Sequence, residues 1–296
     1  MIKHLAISGG GPLFFNMYGA IKKAEEVNIW SKANIETLHG TSAGAILCLI
    51  LALDYSWDIL DNYIINRPWH KVFSFNVLNI YEYYESNGIL NIKFIEEVFI
   101  PLFKGLGIKK TVTFKEFYEI TNKKLYVYTT KFDTFDVAEF SMDETPDVSV
   151  LEAVYASCTL PILFQPRKIN DCVFIDGCIF LDNPLAKTIE KGYDENSILV
   201  ISKKKREQTT TDITDMNVFD YLLFLMNALF TKTQIVCKDN VCKNNIEITS
   251  KLSDLANFFS MAENPSDRET AINRGKEDVD AFISKQIVEN SQDSLA

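Results

Sequence analysis

An α/β fold built on a mostly parallel central sheet, with helices on both faces, is what this sequence predicts. Three observations predict it. Ile2–Ser8 is a short, mostly apolar run that stops at three glycines, and Ile35–Leu38 reads as a second strand, followed by the turn His39-Gly40-Thr41-Ser42-Ala43-Gly44. Runs of this length closed by glycine read as buried strands. Each leads into a helical pattern, and a strand-turn-helix unit used twice requires parallel strands with helices against the sheet. The second helix, ending at Leu53, is apolar on all sides, which places it inside a core.

The elements follow in order. Asn16–Asn28 carries Met17, Ala20, Ile21, Ala24 and Val27 at helical spacing. Residues 55–120 are rich in aromatics (Trp57, Tyr63, Trp69, Phe73, Phe75, Tyr81, Tyr83, Tyr84) with mixed helical periodicity, which suits either a lipid-facing lid or core packing. Leu125–Thr130 and Ala138–Ser141 read as strands and Ser149–Ala156 as a short helix. Phe174–Ile175 ends a further strand, and Ser197–Ser202 is another. Asn183-Pro184 reads as an N-cap with proline at the first helical position. The tail predicts a hydrophobic helix at Val218–Lys232, a strand near Ile246–Thr249 and a last helix around Arg268–Ile287.

Composition excludes several classes. A chain of 296 residues buries ~75% of its extended surface and needs no staple. Its formal charge is −10, from 30 basic and 40 acidic residues, a poor footprint for nucleic acid. The six cysteines (Cys48, Cys158, Cys172, Cys178, Cys237, Cys242) include no CxxC pair, which predicts reduced thiols in a cytoplasmic protein. The N-terminus runs straight into the first strand and leaves no room for a signal peptide. The longest apolar stretches, Ala43–Leu53 and Leu222–Met226, fall short of the ~20 residues a membrane span requires. Any membrane contact is then peripheral.

Gly40-Thr41-Ser42-Ala43-Gly44 is a GxSxG motif between a strand and an apolar helix. A serine on such a sharp turn stands exposed on strained backbone, which suits a nucleophile. The other reading is a serine that caps the helix. Gly9-Gly10-Gly11 follows the first strand and precedes a helix. A dinucleotide fingerprint starting at Gly9 would need glycine where Phe14 stands, and a phosphate loop would need Gly-Lys-Ser/Thr, which is absent. That leaves an oxyanion loop with main-chain N–H donors, or a plain turn.

The base is the decisive question. A Ser…Asp/Glu…His order needs a late histidine, and the three histidines are His4, His39 and His70. A carboxylate is the natural substitute. Asp176-Gly177 ends the apolar run Val173-Phe174-Ile175, where an acid is costly unless paired or functional. A turn-forming aspartate fits the same local sequence.

Taken together these stretches resemble the patatin-like phospholipase family, from Ile2 to about Ser202. The glycine loop, the GxSxG elbow and Asp176-Gly177 occur in the family's order. Ala153-Val154-Tyr155-Ala156-Ser157 through Pro161 to Phe164, and the continuation to Asn183-Pro184, fit the same pattern. The resemblance implies a three-layer α/β/α fold and a Ser42–Asp176 dyad. It also implies an oxyanion hole at Gly9, Gly10 and Gly11, an elbow framed by Gly40 and Gly44, and an aspartate motif continued by Gly177 and Cys178. The implied activity is phospholipase A-type hydrolysis of fatty-acyl esters, on phospholipid or another acyl-ester lipid, without metal or organic cofactor. Residues 1–202 then form the catalytic core, and 203–296 a mainly helical C-terminal part packed on the same domain.

The sequence departs from the family pattern at two places. Pro12-Leu13-Phe14 stands where the family continues with a basic residue and another glycine, which motivates an alternative: a patatin-like lipid-binding protein with weak or no catalysis. Cys178 stands where the family has glycine or alanine and predicts a thiol open to oxidation. Lys203-Lys204-Lys205-Arg206 is the one basic run, read as a solvated loop or as a contact for anionic head groups. Val218–Phe230 is read as a core helix, with shallow insertion at a lipid surface as the other reading.

Overall fold

The computed structural model describes residues 1–72, 80–204, 216, 218–234, 242–249 and 260–293. Among the described residues there are ten strands: His4–Ile7 (β1), Thr37–Thr41 (β2), Gly88–Leu90 (β3), Lys124–Lys131 (β4), Val137–Ser141 (β5), Ile162–Phe164 (β6), Arg167–Ile169 (β7), Cys172–Ile175 (β8), Ile198–Lys203 (β9) and Asn245–Ile248 (β10). The helices are Phe14–Glu26 (α1), Ala43–Ala52 (α2), Trp57–Asn66 (α3), Ile80–Glu85 (α4), Lys93–Gly105 (α5), Phe114–Thr121 (α6), Val150–Ser157 (α7), Leu185–Glu190 (α8), Val218–Thr233 (α9) and Pro265–Asp293 (α10).

Eight strands form the main sheet in the order β10-β9-β1-β2-β4-β8-β7, with β5 beside β4. From β10 to β4 every pairing is parallel, so each connection must cross over the sheet, and helices supply the crossovers. The expectation of a mostly parallel sheet needs one refinement. β5, β8 and β7 all pair antiparallel, which makes the sheet mixed, parallel at its centre and antiparallel on one flank. For the β7–β8 hairpin the physical reason is local. Asn170 and Asp171 both take positive φ, 47° and 65°, between the paired residues Ile169 and Cys172. Two such residues in succession make the tight hairpin turn that right-twisted strands favour.

The alternation of side chains sorts the core into layers. Leu5, Ile7, Leu38, Leu125, Val127, Leu199, Ile201, Ile246 and Ile248 belong to one large cluster with residues of α1, α2, α3, α5, α6, α7 and α10. Ala6, Ile198 and Val200 instead meet Leu185 of α8. A helical layer thus lies on each side of the sheet. Against α1, the backbone of α10 comes so close that a Cβ on Gly275 would lie 1.9 Å from Asn16 O; only glycine fits there.

Of the two readings of the aromatic stretch, core packing holds for Trp57, Tyr63 and Trp69, which pack on the main core. Their polar atoms are bonded inward, Trp57 Nε1 to Glu25, Trp69 Nε1 to Ile64 O and Tyr63 OH to Val98 O, at 2.6–2.8 Å. Tyr81 and Tyr84 are exposed, and Phe73 and Phe75 lie outside the described residues. The helix expected to start with proline at its first position begins at Leu185 instead, with Pro184 as N-cap. Asn183 Oδ1 still accepts from Leu185 N–H at 3.0 Å, so the cap function survives one residue out of register.

Candidate active site

β2 delivers Ser42 and β8 delivers Asp176, from the two strands that flank β4 in the sheet order. Ser42 has φ 53° and ψ −122°, a strained conformation for a side chain with a Cβ. Gly44 makes the turn possible, because a Cβ there would lie 2.2 Å from Ile7 O. Ser42 occupies the N-cap position of α2 yet makes no capping bond with its side chain. Its Oγ instead donates to Asp176 Oδ2 at 2.9 Å. The helix-cap reading therefore falls away.

Both carboxylate oxygens of Asp176 are engaged. Oδ1 accepts from Cys178 N–H at 2.8 Å, which starts the short 3-10 turn Gly177–Ile179, while Oδ2 faces Ser42. The Asp176 main chain is held by Thr159 O at 3.1 Å. With only 2% of its surface exposed, burial raises the carboxyl to about 6, against the opposing bonds from Cys178 and Ser42. A base poised near neutrality is what general-base catalysis favours.

Gly9 and the two glycines after it are not equivalent. Gly9 N–H is already used, donating to Asp182 O at 3.0 Å, and its Cα faces Cys178 so closely that a Cβ would lie 2.0 Å from Sγ. The N–H groups of Gly10 and Gly11 meet no acceptor among the described residues. Gly11 adopts φ +52°, a conformation that favours glycine. Pro12 and Leu13 complete a 3-10 turn that leads into α1, with Leu13 buried, so the residues replacing the family's basic continuation serve packing.

Ser157 ties the elbow to the sheet. Its Oγ accepts from Ser42 N–H at 2.8 Å and donates to Tyr128 O at 2.5 Å, which pins the elbow to β4. The placing of a serine at the C-terminal end of α7 was the one signal available beforehand.

The histidines are occupied elsewhere. His39 Nε2 pairs with Thr37 Oγ1 at 3.0 Å and Nδ1 with Tyr128 OH at 3.0 Å, and its ring stacks on Tyr126. Burial pushes it well below its ordinary range, so it stays neutral. His4 bonds to Thr37 Oγ1 at 2.8 Å, and His70 is exposed in a short turn. Neither ring nitrogen of His39 is free for Ser42. The triple variant His4→Gln, His39→Asn, His70→Gln is expected to retain at least about a third of wild-type kcat/KM on a soluble ester. A general base would account for ~10²–10⁴ in rate. Loss of that size in a folded His39→Asn protein contradicts the expectation.

Cys178 is half-buried, and burial, then Asp176 and Asp182, push its thiol well above the usual range, which disfavours the thiolate. The basic run is corrected in part. Lys203 Nζ lies 2.7 Å from Asp182 Oδ1, off the line of a hydrogen bond, as an ion pair rather than a loose surface charge. Lys204 is exposed, and Lys205 and Arg206 lie outside the described residues. The core-helix reading of Val218–Phe230 is overturned as well, since Val218, Tyr221, Leu222, Phe224, Leu225 and Leu229 are exposed.

Five cysteines, Cys48, Cys158, Cys172, Cys178 and Cys242, are free, and Cys237 is outside the described residues. Among the described residues no three His, Cys, Asp or Glu side chains converge as metal ligands, and no helix is long and apolar enough to cross a membrane.

Residues 5–189 match the family model for patatin-like phospholipases. The chain is 26% identical over 259 residues to Uncharacterized protein R571 of Acanthamoeba polyphaga mimivirus, which spans 84% of this chain and 85% of that one. It is 27% identical over 187 residues to "Probable lipid hydrolase 463L" of Invertebrate iridescent virus 6, spanning 62% of each. VipD from Legionella pneumophila superposes with TM-score 0.53 at 18% identity, over 96% of this chain and 67% of its own. The type III effector ExoU of Pseudomonas aeruginosa gives 0.51 at 15% identity, over 96% of this chain and 53% of its own. At such identities the likeness to solved structures concerns the fold.

Proposed function

Because this chain belongs to the patatin-like phospholipase family, we propose that it hydrolyses fatty-acyl esters of lipids through Ser42 and Asp176. The observation that carries the reading is the 2.9 Å bond from Ser42 Oγ to Asp176 Oδ2 on a strained elbow. Asp176 accepts the Ser42 proton as Oγ attacks the acyl carbonyl carbon. Gly10 and Gly11 donate their N–H groups to the carbonyl oxygen as it becomes an oxyanion. The tetrahedral adduct collapses, Asp176 returns the proton to the departing alcohol, and an acyl-Ser42 ester remains. Asp176 then removes a proton from water, the hydroxide attacks the ester, and the fatty acid leaves as Ser42 regains its proton. The Gly10 and Gly11 donors, without an acceptor among the described residues, favour catalysis over the binding-only alternative.

The substrate class follows from the family and from α9. Its exposed Tyr221, Leu222, Phe224, Leu225 and Leu229 form an apolar surface beside the turn that carries Asp176. A helix of 16 residues is about 24 Å long and suits shallow insertion parallel to a lipid surface. The test is mass spectrometry of fatty acid released from phosphatidylcholine vesicles. Wild type releases it and Ser42→Ala does not. Phe224→Asp with Leu225→Asp slows release from vesicles about tenfold or more, because two inserted apolar side chains are lost, and leaves a soluble short-chain ester unaffected. Equal rates on vesicles remove α9 from the lipid contact; undiminished release by Ser42→Ala removes the mechanism.

A further inference from the structure

Gln234 follows α9 directly, and both ends of its side-chain amide are used. Oε1 accepts from Asp182 N–H at 2.7 Å, and Nε2 donates to Cys178 O at 2.7 Å and to Phe230 O of its own helix at 2.9 Å. Thr233 Oγ1 adds a bond to Ile179 O at 2.8 Å. The two groups held by Gln234 sit four residues apart, on a segment whose only regular structure is the 3-10 turn Gly177–Ile179.

Each end of that segment holds part of the site. At one end, Cys178 N–H orients Asp176 Oδ1. At the other, Asp182 O receives Gly9 N–H and Asp182 Oδ1 faces Lys203. One planar amide therefore spans the place where the base is aimed and the place where the glycine loop is anchored. We infer that Gln234 is a positioning residue: its amide straps Cys178 to Asp182 and so fixes the carboxylate of Asp176 relative to the Gly10 and Gly11 donors. The inference rests on the Ser42–Asp176 reading and goes beyond it. No other side chain described here bonds to both ends of the segment. The pairing also needs one donor and one acceptor in a single group, which an amide provides and a carboxylate or an aliphatic chain does not.

Gln234→Leu keeps the bulk and removes both bonds. On a soluble short-chain ester, kcat per site titratable with a fluorophosphonate is expected to fall about 10–100-fold, with KM changed less than about threefold, since small misplacements of reacting groups have effects of that order. Counting titratable sites cancels any loss of folded protein, so a merely structural role leaves this ratio at wild type. Gln234→Glu covers the case in which the leucine protein fails to fold. It keeps the length and the acceptor, lowers kcat about fivefold or more, and moves the acid limb of the pH–rate profile upward by placing a negative charge near Asp176. A folded Gln234→Leu protein with wild-type kcat per site overturns the inference. So does Gln234→Glu with wild-type rate and an unmoved acid limb. A wild-type protein that turns over the ester without taking the label at Ser42 overturns the dyad and this inference with it. That failure appears in the wild type, whereas failure of the strap alone appears as a labelled wild type beside an equally fast variant.

Discussion

Asp176→Asn is expected to lose about 10²–10⁴ in kcat/KM and, in the same molecule, to gain about 3 kcal/mol of stability at pH 7. The first effect removes the proton acceptor for Ser42. The second follows from burial, which holds the folded carboxyl at about 6 against its ordinary 3.8. Because the folded value is the higher one, the folded state binds the proton more tightly. Stability is then full below pH ~4 and is lost as pH rises through about 6. Asparagine has no charge to bury and can still accept from Cys178 N–H. Its advantage should therefore be present at pH 7 and vanish near pH 4, which urea denaturation at the two pH values measures. The wild-type rate should fall about tenfold per pH unit below 6, as the base becomes protonated. An asparagine variant that is less stable at pH 7, or a rate that is flat down to pH 4.5, contradicts the account.

Gly44→Ala is expected to lower stability by about 3 kcal/mol or more and activity by about 10²-fold. The added Cβ would meet Ile7 O at 2.2 Å and Ser8 O at 2.5 Å. Both are main-chain atoms of β1 and the loop after it, and neither can rotate away. Relief requires α2 to lift off the sheet, which carries Ser42 away from Asp176. Gly11→Ala is the control. Nothing lies within 4 Å of its Cβ, and only φ +52° opposes the change, a cost of roughly 1–2 kcal/mol. Equal losses at the two glycines would mean that close approach is not what Gly44 serves.

The parts of the fold set by neighbouring residues were legible beforehand. The apolar run ended by three glycines, the glycine-containing turn after Leu38 and the all-apolar α2 place β1, β2 and the strand-turn-helix elbow within two or three residues of their observed bounds. The antiparallel flank was missed although Asn170-Asp171 offered a two-residue turn signal, because the strands on either side are only three and four residues long. Local sequence left Asp176 divided between turn former and base, and its two carboxylate oxygens are divided as well: one accepts from Cys178 N–H in the turn and the other from Ser42 Oγ. Its approach to Ser42, 134 residues away in sequence, is a property of strand order, which spacing does not encode. The aromatics of 55–72 left lid and core both open, because tryptophan and tyrosine pack in a core as readily as on a rim once the polar atom finds a partner. Ser157 and Gln234 act through main-chain groups contributed by other elements, so their residue types alone carry no signal. α9 was read as core on its apolar content, and exposure is decided by what the rest of the chain leaves uncovered.

The central claim is that Ser42 is a nucleophile activated by Asp176 without a histidine. Peptide mass spectrometry after treatment with a fluorophosphonate, comparing wild type, Asp176→Asn and the triple histidine variant, tests it most directly. The expected result is one adduct on the peptide containing Ser42. It should form at a similar rate in wild type and in the triple histidine variant, and about 10² or more times slower in Asp176→Asn. An adduct on a different residue of a protein that hydrolyses lipid ester, or rapid labelling of Ser42 in Asp176→Asn, would contradict it.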